Sequence, residues 1–538
     1  MRRGYTMRAY TGSGTAVPSA TSLATGINPG WTDTVTTVRP LTTANYLTSA
    51  TNTSLIDLST TGPNSYIVRQ WLASFAGEHT YGPIKLDYNT GYSRNNLMIG
   101  QTTGGAKGGQ YALTQRMAGA GWTLESPNGA DFSRLTQTAG PDISDPNNYR
   151  PIANGLAASP QTQNQYNKHF NADLIYTLPT AAPIVFKTGF TWRQLDIKIK
   201  NYSRRWSYLG ASALPTDPTI GFYGTFAEGK NMPIWQVSEF MTDRAPKNPA
   251  LWSEDLYFFH QNAYTGDRGV TEDVTAGYGM FKGKFGSQGW LSRSGFLAGV
   301  RQEKTETESY GWVRTKGTNV STVAQQVSDP RGSAFRDYDA YRRTLEGSYT
   351  KTFPSVHIHH DITRNLKARL SWSTGFGRAA PTNLMPNESV SESTETITIN
   401  NPSLLPQMAT NWDATLEYYF EPLGSLSVGW FNKNITDYIV SGLNNGIVSS
   451  GNGNGFNGEY AGYRIQTSLN AGTAKVNGFE LSYQQQFTFL PGLWKGMALS
   501  ANYTTLTTEG DFGNLAGVQR KTGEVAGFVP KLGNVMVR

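Results

Sequence analysis

The chain has 538 residues, with 46 Lys and Arg against 39 Asp and Glu, a net charge of +7 and no Cys. The missing Cys excludes disulfides and thiolate metal sites, and the dispersed basic residues, with no dense Lys/Arg run, argue against a nucleic-acid partner. Mean hydropathy is −0.43 and no stretch is apolar for the roughly 20 residues of a membrane helix, yet a wall of strands escapes that test, because only every second residue meets lipid.

Met1-Arg-Arg-Gly-Tyr5 leads into no apolar segment, so it is not a signal peptide. Met1 to about Tyr10 suits a strand, and Thr11 to Pro63, rich in Thr, Ser, Gly and Asn, reads as loop. Tyr66–Ala76 and Ile84–Tyr92 form the first clear hairpin, joined through Gly77–Pro83. Asn95 to Tyr166 is a long polar connection with turn residues throughout Ala139–Tyr149. Ala172, Leu174, Tyr176 and Leu178 alternate with polar neighbours up to the short Pro179–Pro183 turn. Phe186, Phe190 and Trp192 then alternate with Lys187, Thr191 and Arg193. Asn201 to Val270 is a second long connection, dense in Trp, Tyr and Phe.

Val274, Ala276, Tyr278 and Met280 mark the next strand, and Phe296, Ala298 and Val300 its partner, opposite Arg301 and Glu303. Gly311 to Asp337 reads as loop, and Tyr341 to Ile362 as one long strand running to the turn at Thr363–Asn365. The clearest stretch follows. Leu366, Ala368, Leu370, Trp372 and Phe376 share one parity, while Lys367, Arg369, Ser371 and Ser373 share the other. After a polar segment, Trp412, Ala414, Leu416, Tyr418 and Phe420 alternate with Asp413, Thr415 and Glu417. Glu421–Gly424 turns the chain into Leu426, Val428 and Trp430. Ser441–Gly462 reads as a Gly/Asn loop and Tyr463–Phe489 as a long strand with Phe479, Leu481 and Tyr483 opposite Glu480 and Ser482. Met497 to Tyr503 returns, and Val529 to Arg538 starts another strand.

Buried Lys, Arg, Asp and Glu would need partners, so the wet face does not suit the dry core of a soluble sandwich. It suits lipid outside and a hydrated lumen inside. The reading is therefore an all-β fold, a transmembrane antiparallel β-barrel of about fourteen strands, with short periplasmic turns and long extracellular loops. Trp372, Leu416, Leu426, Val428 and Leu499 are expected on the lipid side, and Arg369, Asp413, Glu417 and Glu480 on the lumen side.

Several stretches resemble the barrel of TonB-dependent outer-membrane receptors. They are Val274-Thr-Ala-Gly-Tyr278, Gly299-Val-Arg-Gln-Glu-Lys-Thr305, Phe353-Pro-Ser-Val-His-Ile358 and Asn401-Pro-Ser-Leu-Leu-Pro-Gln407. The last continues through Asn411-Trp-Asp-Ala-Thr-Leu-Glu-Tyr-Tyr-Phe420, Gly424–Val428, Phe431–Asp437, Gly478–Ser482 and Leu490-Pro-Gly492. The likeness runs from about Tyr66 onwards and is strongest to members often linked to import of plant or algal oligosaccharides. It implies a Gram-negative outer-membrane receptor, not an enzyme, that takes up a scarce solute such as an oligosaccharide or siderophore. Lipid and, through a plug, the energising protein TonB are the partners it implies, and it implies no cofactor. The family's plug and TonB-binding box are not visible in residues 1–538, and the expected Arg-Pro is here Arg378-Ala-Ala-Pro381. On that reading the chain is a barrel domain only. It is a partial wall where the family has about 22 strands, with the others expected before Met1 and after Arg538. A ladder between the N-terminal strand and Val529–Val537 would instead mean a smaller closed barrel and favour a passive porin. A surface β-protein that binds glycans without a pore is the third reading.

Arg204, Arg205, Trp206, Tyr208, Tyr223 and Trp235 are the candidate solute-binding residues, on the expectation that Asn201–Trp235 is an outward loop. Aromatic faces stack on sugars and Arg fixes hydroxyl or carboxylate groups. The alternative is a loop folded on its own aromatics. His357 and His359 share a strand face and could hold a metal with a third ligand, against a plain polar role near a turn. Gly451–Gly455 lacks the Lys-Ser/Thr and helix of a phosphate loop. Glu254-Asp255 and Glu272-Asp273 point to opposite faces of any strand and read as solvated surface, not as an acid/base pair. No metal or catalytic set is expected.

Overall fold

The computed structural model describes residues 5–11, 35–37, 54–61, 66–100, 111–125, 134–216, 222–223, 231–237, 245–312, 321–391, 395–421, 423–511 apart from 452, 455, 457, 459 and 471, and 521–522, 525 and 528–538. Period-two sequence becomes one meandering antiparallel wall. Its strands are β1 (Tyr66–Tyr81), β2 (Ile84–Ile99), β3 (Gln161–Thr177), β4 (Ile184–Asn201), β5 (Asp267–Lys284), β6 (Ser294–Trp312) and β7 (Arg342–Asp361). They continue as β8 (Leu366–Gly377), β9 (Gln407–Phe420), β10 (Gly424–Thr436), β11 (Thr473–Gln486), β12 (Ala498–Asp511) and β13 (Lys531–Val537). Each pairs with the next, as a meander requires, and the two-residue Lys521–Thr522 strand also joins β12. With that short strand the sheet has 14 members, as the alternation implies.

Short turns lie at one end. Gly82-Pro83 joins β1 to β2, with Gly82 at φ +55° where a side chain would be strained. Residues 178–183, 285–293, 362–365, 421–423 and 487–497 make the other short connections, and every longer one lies at the opposite, mouth end. β5, β6 and β7 have 18, 19 and 20 residues. A tilted strand crosses the hydrocarbon in about 9–11, so this part of the wall stands well clear of the membrane.

The faces separate as expected. Ala368, Leu416, Val428, Leu481 and Tyr503 form one cross-strand row, in which Leu416, Val428 and Leu481 remain 44–45% exposed. Large apolar side chains left open in a row are explained by lipid and by nothing in the chain itself. Leu426 and Leu499 belong to the same face, and Trp372 meets Trp412 there, ring centroids 6.4 Å apart. On the other face Arg369 donates to Glu417 at 2.8 Å. Leu416→Arg should therefore weaken assembly by about 2–4 kcal/mol if the site is mid-bilayer. A urea titration of the protein refolded into vesicles measures this, and an unchanged midpoint would take Leu416 out of the hydrocarbon.

One parity expectation is corrected. Phe376 does not continue the lipid row. Pro354 has no N–H to donate, and the β7–β8 ladder ends beside it at Ser355–Ser373. Beyond that point β8 remains paired only with β9, and Phe376 stacks on the buried Phe353, 4.8 Å apart with rings 10° from parallel.

The long connections are not loops throughout, a second correction. Tyr5–Thr11, Ser54–Thr61, Tyr111–Ala118, Arg150–Ala158, Arg204–Tyr208 and Trp252–Glu254 form a six-stranded sheet at the mouth. Tyr111–Ala118 alternates strictly between buried and half-buried residues, so one face covers a core of Ile56, Leu58, Leu113, Met117, Tyr149 and Leu156 among others. Between β4 and β5 lies helix α1 (Leu256–Thr265), and between β6 and β7 lie α2 (Val323–Ser328) and α3 (Pro330–Tyr338). Asp255 caps α1 through the Phe258 N–H at 2.9 Å, a Thr322/Gln325 capping box opens α2, and Asp329 with Pro330 opens α3. The Gly332 N–H and Arg336 hold the Asp329 carboxyl below its usual pKa. Tyr463–Phe489 likewise divides, into Arg464–Asn470 in a separate mouth sheet and wall strand β11.

Among the described residues no ladder joins the two ends of the wall. β13 pairs with β12, and Tyr5–Thr11 pairs with Ser54–Thr61.

Candidate solute-binding mouth and lumen

The mouth sheet sets the candidate side chains in two environments. Trp206 and Trp235 are 2% and 0% exposed. Trp235 meets Tyr149 edge to face at 5.5 Å, and Tyr149 donates to the Ile143 carbonyl at 2.8 Å. Burial pushes the Tyr149 phenol well above its usual pKa. Both tryptophans are thus core residues here, and neither offers a ring face for a sugar. The self-folded loop was the alternative in the sequence, and these two rings take it. Tyr208 packs half-buried on Trp252, ring centroids 4.9 Å apart.

Arg204 and Arg205 leave opposite faces of one strand. Arg204 grips Glu254 with two bonds of 2.6 and 2.7 Å and lies 4.9 Å over Trp206. Arg205 grips Asp255 at 2.9 and 2.7 Å and lies 4.1 Å over Phe258. Glu254 and Asp255 do point apart, as strand geometry requires, but each is the partner of an arginine. Tyr223 pairs through its backbone with Asn231 in a two-residue strand, and its side chain lies outside the described residues. The six candidates are therefore not one convergent site.

Helices α1 and α3 tie two mouth connections together. Asp337, buried, accepts from the Tyr257 hydroxyl at 2.6 Å and from the Ser321 N–H at 2.8 Å. Burial, with Tyr338 and Asp337 adding to it, pushes the Tyr257 phenol far up.

The second constellation lies in the lumen, and the sequence reading missed it. From the top of β8, residues 378–391 and 395–406 lead into the lumen, and Glu388–Ser391 and Thr396–Ile399 on the way join the sheet of Arg464–Asn470. Ala379, Leu384, Met385 and Leu404 pack on Ile197, Ile199 and Val270 of β4 and β5, with Met385 fully buried. We call this segment the strap. Its backbone passes so close to β6 that a Cβ on Gly311 would run into the Pro386 carbonyl oxygen, so glycine is required there by contact alone. Asn400 donates to the Thr382 and Met385 carbonyls at 3.0 Å each. Asn470 accepts from the Leu405 N–H and donates to its carbonyl, both at 2.8 Å.

At its root Arg378 sits 4.5 Å over the Phe376 ring and bridges two carboxylates, Glu272 of β5 at 3.5 Å and Glu303 of β6 in direct contact. Arg193 reaches Glu272 and Arg301 reaches Glu303, both at 3.0 Å. Glu272 is thus buried in an ion network, not solvated surface as its sequence suggested. The available signal was register. Arg193, Glu272, Arg301 and Glu303 all fall on the lumen parity of adjacent strands. Lower in the lumen, Asp173 accepts from Lys187 at 3.1 Å and from the Tyr278 hydroxyl at 2.6 Å.

The histidines bond to hydroxyls, His357 to Ser371 at 2.9 Å and His360 to Ser294 at 2.8 Å. Among the described residues no group of three or more His, Cys, Asp and Glu is placed to hold a metal. Of the Gly451–Gly455 stretch residues 451, 453 and 454 are described, and no helix among the described residues directly follows it.

Several solved structures are similar to this chain. The hemophore receptor HasR of Serratia marcescens, solved with its hemophore HasA and heme, is 9% identical, with TM-score 0.42, over 90% of this chain and 61% of its own. The ferric-catecholate import receptor Fiu of E. coli is 11% identical, with TM-score 0.40, over 90% and 62%. The copper transporter OprC is 10% identical, with TM-score 0.39, over 86% and 58%. The chain thus spans about three fifths of these proteins' length. No curated protein matches it. The TonB dependent receptor-like β-barrel family matches residues 9–533, nearly the whole chain. A wall with a lipid face, a charged lumen and a folded mouth, matched along that length, belongs to the TonB-dependent receptor β-barrel family of Gram-negative outer-membrane receptors and transporters.

Proposed function

We propose that this chain supplies the wall and mouth of a receptor that captures a scarce solute outside the cell and admits it when TonB acts through a plug. The strap carries the reading. It packs across the lumen side of β4 to β6 and is pinned at Arg378, an arrangement that suits gated entry and disfavours a passive porin. An oligosaccharide is the favoured solute. Asn171 donates to Asn89 at 2.9 Å and Asn167 to Ser93 at 3.3 Å on the lumen side of β2 and β3, and amides and hydroxyls of this kind match sugar hydroxyls. Arg204, Arg205, Tyr208 and Tyr223 remain the proposed contacts at the mouth, with Trp206 and Trp235 as their support.

The wall belongs to a larger barrel on this proposal. β1 and β13 both run from mouth to turns, so direct pairing between them would be parallel. A wall closed by antiparallel pairs takes an odd number of further strands. The test is uptake of labelled oligosaccharides and ferric siderophores by cells carrying the complete receptor, with and without TonB function. Oligosaccharide uptake that needs both is expected. TonB-independent uptake would return the porin reading, and siderophore uptake alone would replace the solute.

A further inference from the structure

The lumen cluster has a charge imbalance that its ion pairs do not remove. Four cations, Arg193, Arg301, Lys351 and Arg378, surround two carboxylates, Glu272 and Glu303. Lys351 lies directly across the β6–β7 ladder from Glu303, yet has no ion-pair partner among the described residues. Exposure is uneven in the same sense. The Glu272 and Glu303 side chains are 5% and 8% exposed, against 43% for Arg193, 34% for Arg301 and 24% for Arg378. The carboxylates are the floor and the guanidiniums the surface, so the cluster presents mostly positive charge to the lumen. Guanidinium forks bind carboxylate, sulfate and phosphate oxygens in pairs, and a confined wall of one sign concentrates ions of the other.

We propose that this cluster is an anion subsite in the lumen, taking the carboxylate, sulfate or phosphate group of an acidic solute. It deepens the receptor reading above, on which the word solute rests, by naming the solute's class. Sugar hydroxyls meet the amides of β2 and β3, and the acid group meets the cations of β4, β6, β7 and the strap. Arg378 belongs to both cluster and strap, so an acid group that engages it competes with Glu272 and Glu303 for the strap's anchor.

These 538 residues hold no Cys, so with any Cys elsewhere in the complete receptor replaced by Ser, a single introduced thiol gives a direct test in the assembled protein. Thr191→Cys places one thiol on the lumen parity of β4, two residues from Arg193. Its rate with an anionic methanethiosulfonate (2-sulfonatoethyl) is compared with that of a cationic one (2-trimethylammonioethyl), each relative to a free thiol. The anionic reagent should be favoured about tenfold at low salt, less at high salt. Adding Lys351→Met, which strips no carboxylate of a partner, should cut that preference several-fold. Citrate and trigalacturonate should then protect the thiol where galactotriose, with the same ring hydroxyls but a CH2OH in place of each carboxylate, does not. A preference for the cationic reagent, or equal rates, overturns the subsite. So does a preference without selective protection, which would leave a field but no site. These readouts need no transport, so failure here leaves the uptake experiment standing, and failed uptake leaves these rates interpretable.

Discussion

Trp206→Ala with Trp235→Ala should unfold the mouth and leave the wall standing. Both rings are fully enclosed, and removing a buried Trp side chain costs about 3–5 kcal/mol, transfer and cavity terms together. The mouth core is separate from the wall, so the loss should be local. Limited proteolysis should cut between residues 111 and 254 in the variant, while the wall keeps the resistance to SDS that a folded barrel shows. Solute binding would fall as well, but through the lost platform for Arg204 and Tyr208. A doubly substituted mouth that resists protease as well as the parent would refute the core assignment and return both rings to the surface.

The same residues show what a single sequence can reveal. The wall was legible because one face must be apolar and the other hydrated, which writes period two into Leu366–Trp372 and Trp412–Phe420 alike. Tyr111–Ala118 was not, because its buried row is Tyr111, Leu113, Gln115 and Met117, and the fully buried Gln115 breaks the apolar pattern. Ser54–Thr61 hides Ile56 and Leu58 among Ser and Thr. The candidate residues failed to converge for a different reason. Density of aromatics marks both a sugar platform and a small core, and only packing separates them. Phe376 shows a third limit. Its parity was right for the strand, but the proline on the neighbouring strand decided where the ladder stopped.

Arg378→Met should have the other large effect, and in the lumen. Glu272 and Glu303 are buried, and among the described residues Arg378 is the one side chain ion-paired with both. Removing one partner of a buried pair costs about 3–5 kcal/mol. The hydrated lumen and the partial exposure of Arg378 place this case at or below the lower end, about 2–3 kcal/mol. Arg193 and Arg301 still compensate one carboxylate each, so the barrel should assemble. The root of the strap should not stay in place, because its remaining hold near Arg378 is the small apolar contact of Leu384, Met385 and Leu404 with β4 and β5, while the Leu405–Asn470 bonds and the Thr396–Thr398 ladder with Arg464–Gln466 hold only its far end. Gly311→Val reaches the same end sterically, by pressing a side chain into the Pro386 carbonyl. Either variant should raise leakage of bulky antibiotics through the assembled receptor and speed protease cleavage between residues 379 and 406. A cycle with Glu272→Gln and Glu303→Gln separates charge from packing. Neutralising both carboxylates in the Arg378→Met background should recover assembly stability, since no buried charge is left unpaired, but not the strap, since nothing then draws its root to β5 and β6. If the neutral triple variant also restores the barrier to antibiotics, the strap is held by its apolar contact and the bonds at its far end, and Arg378 is not its lock.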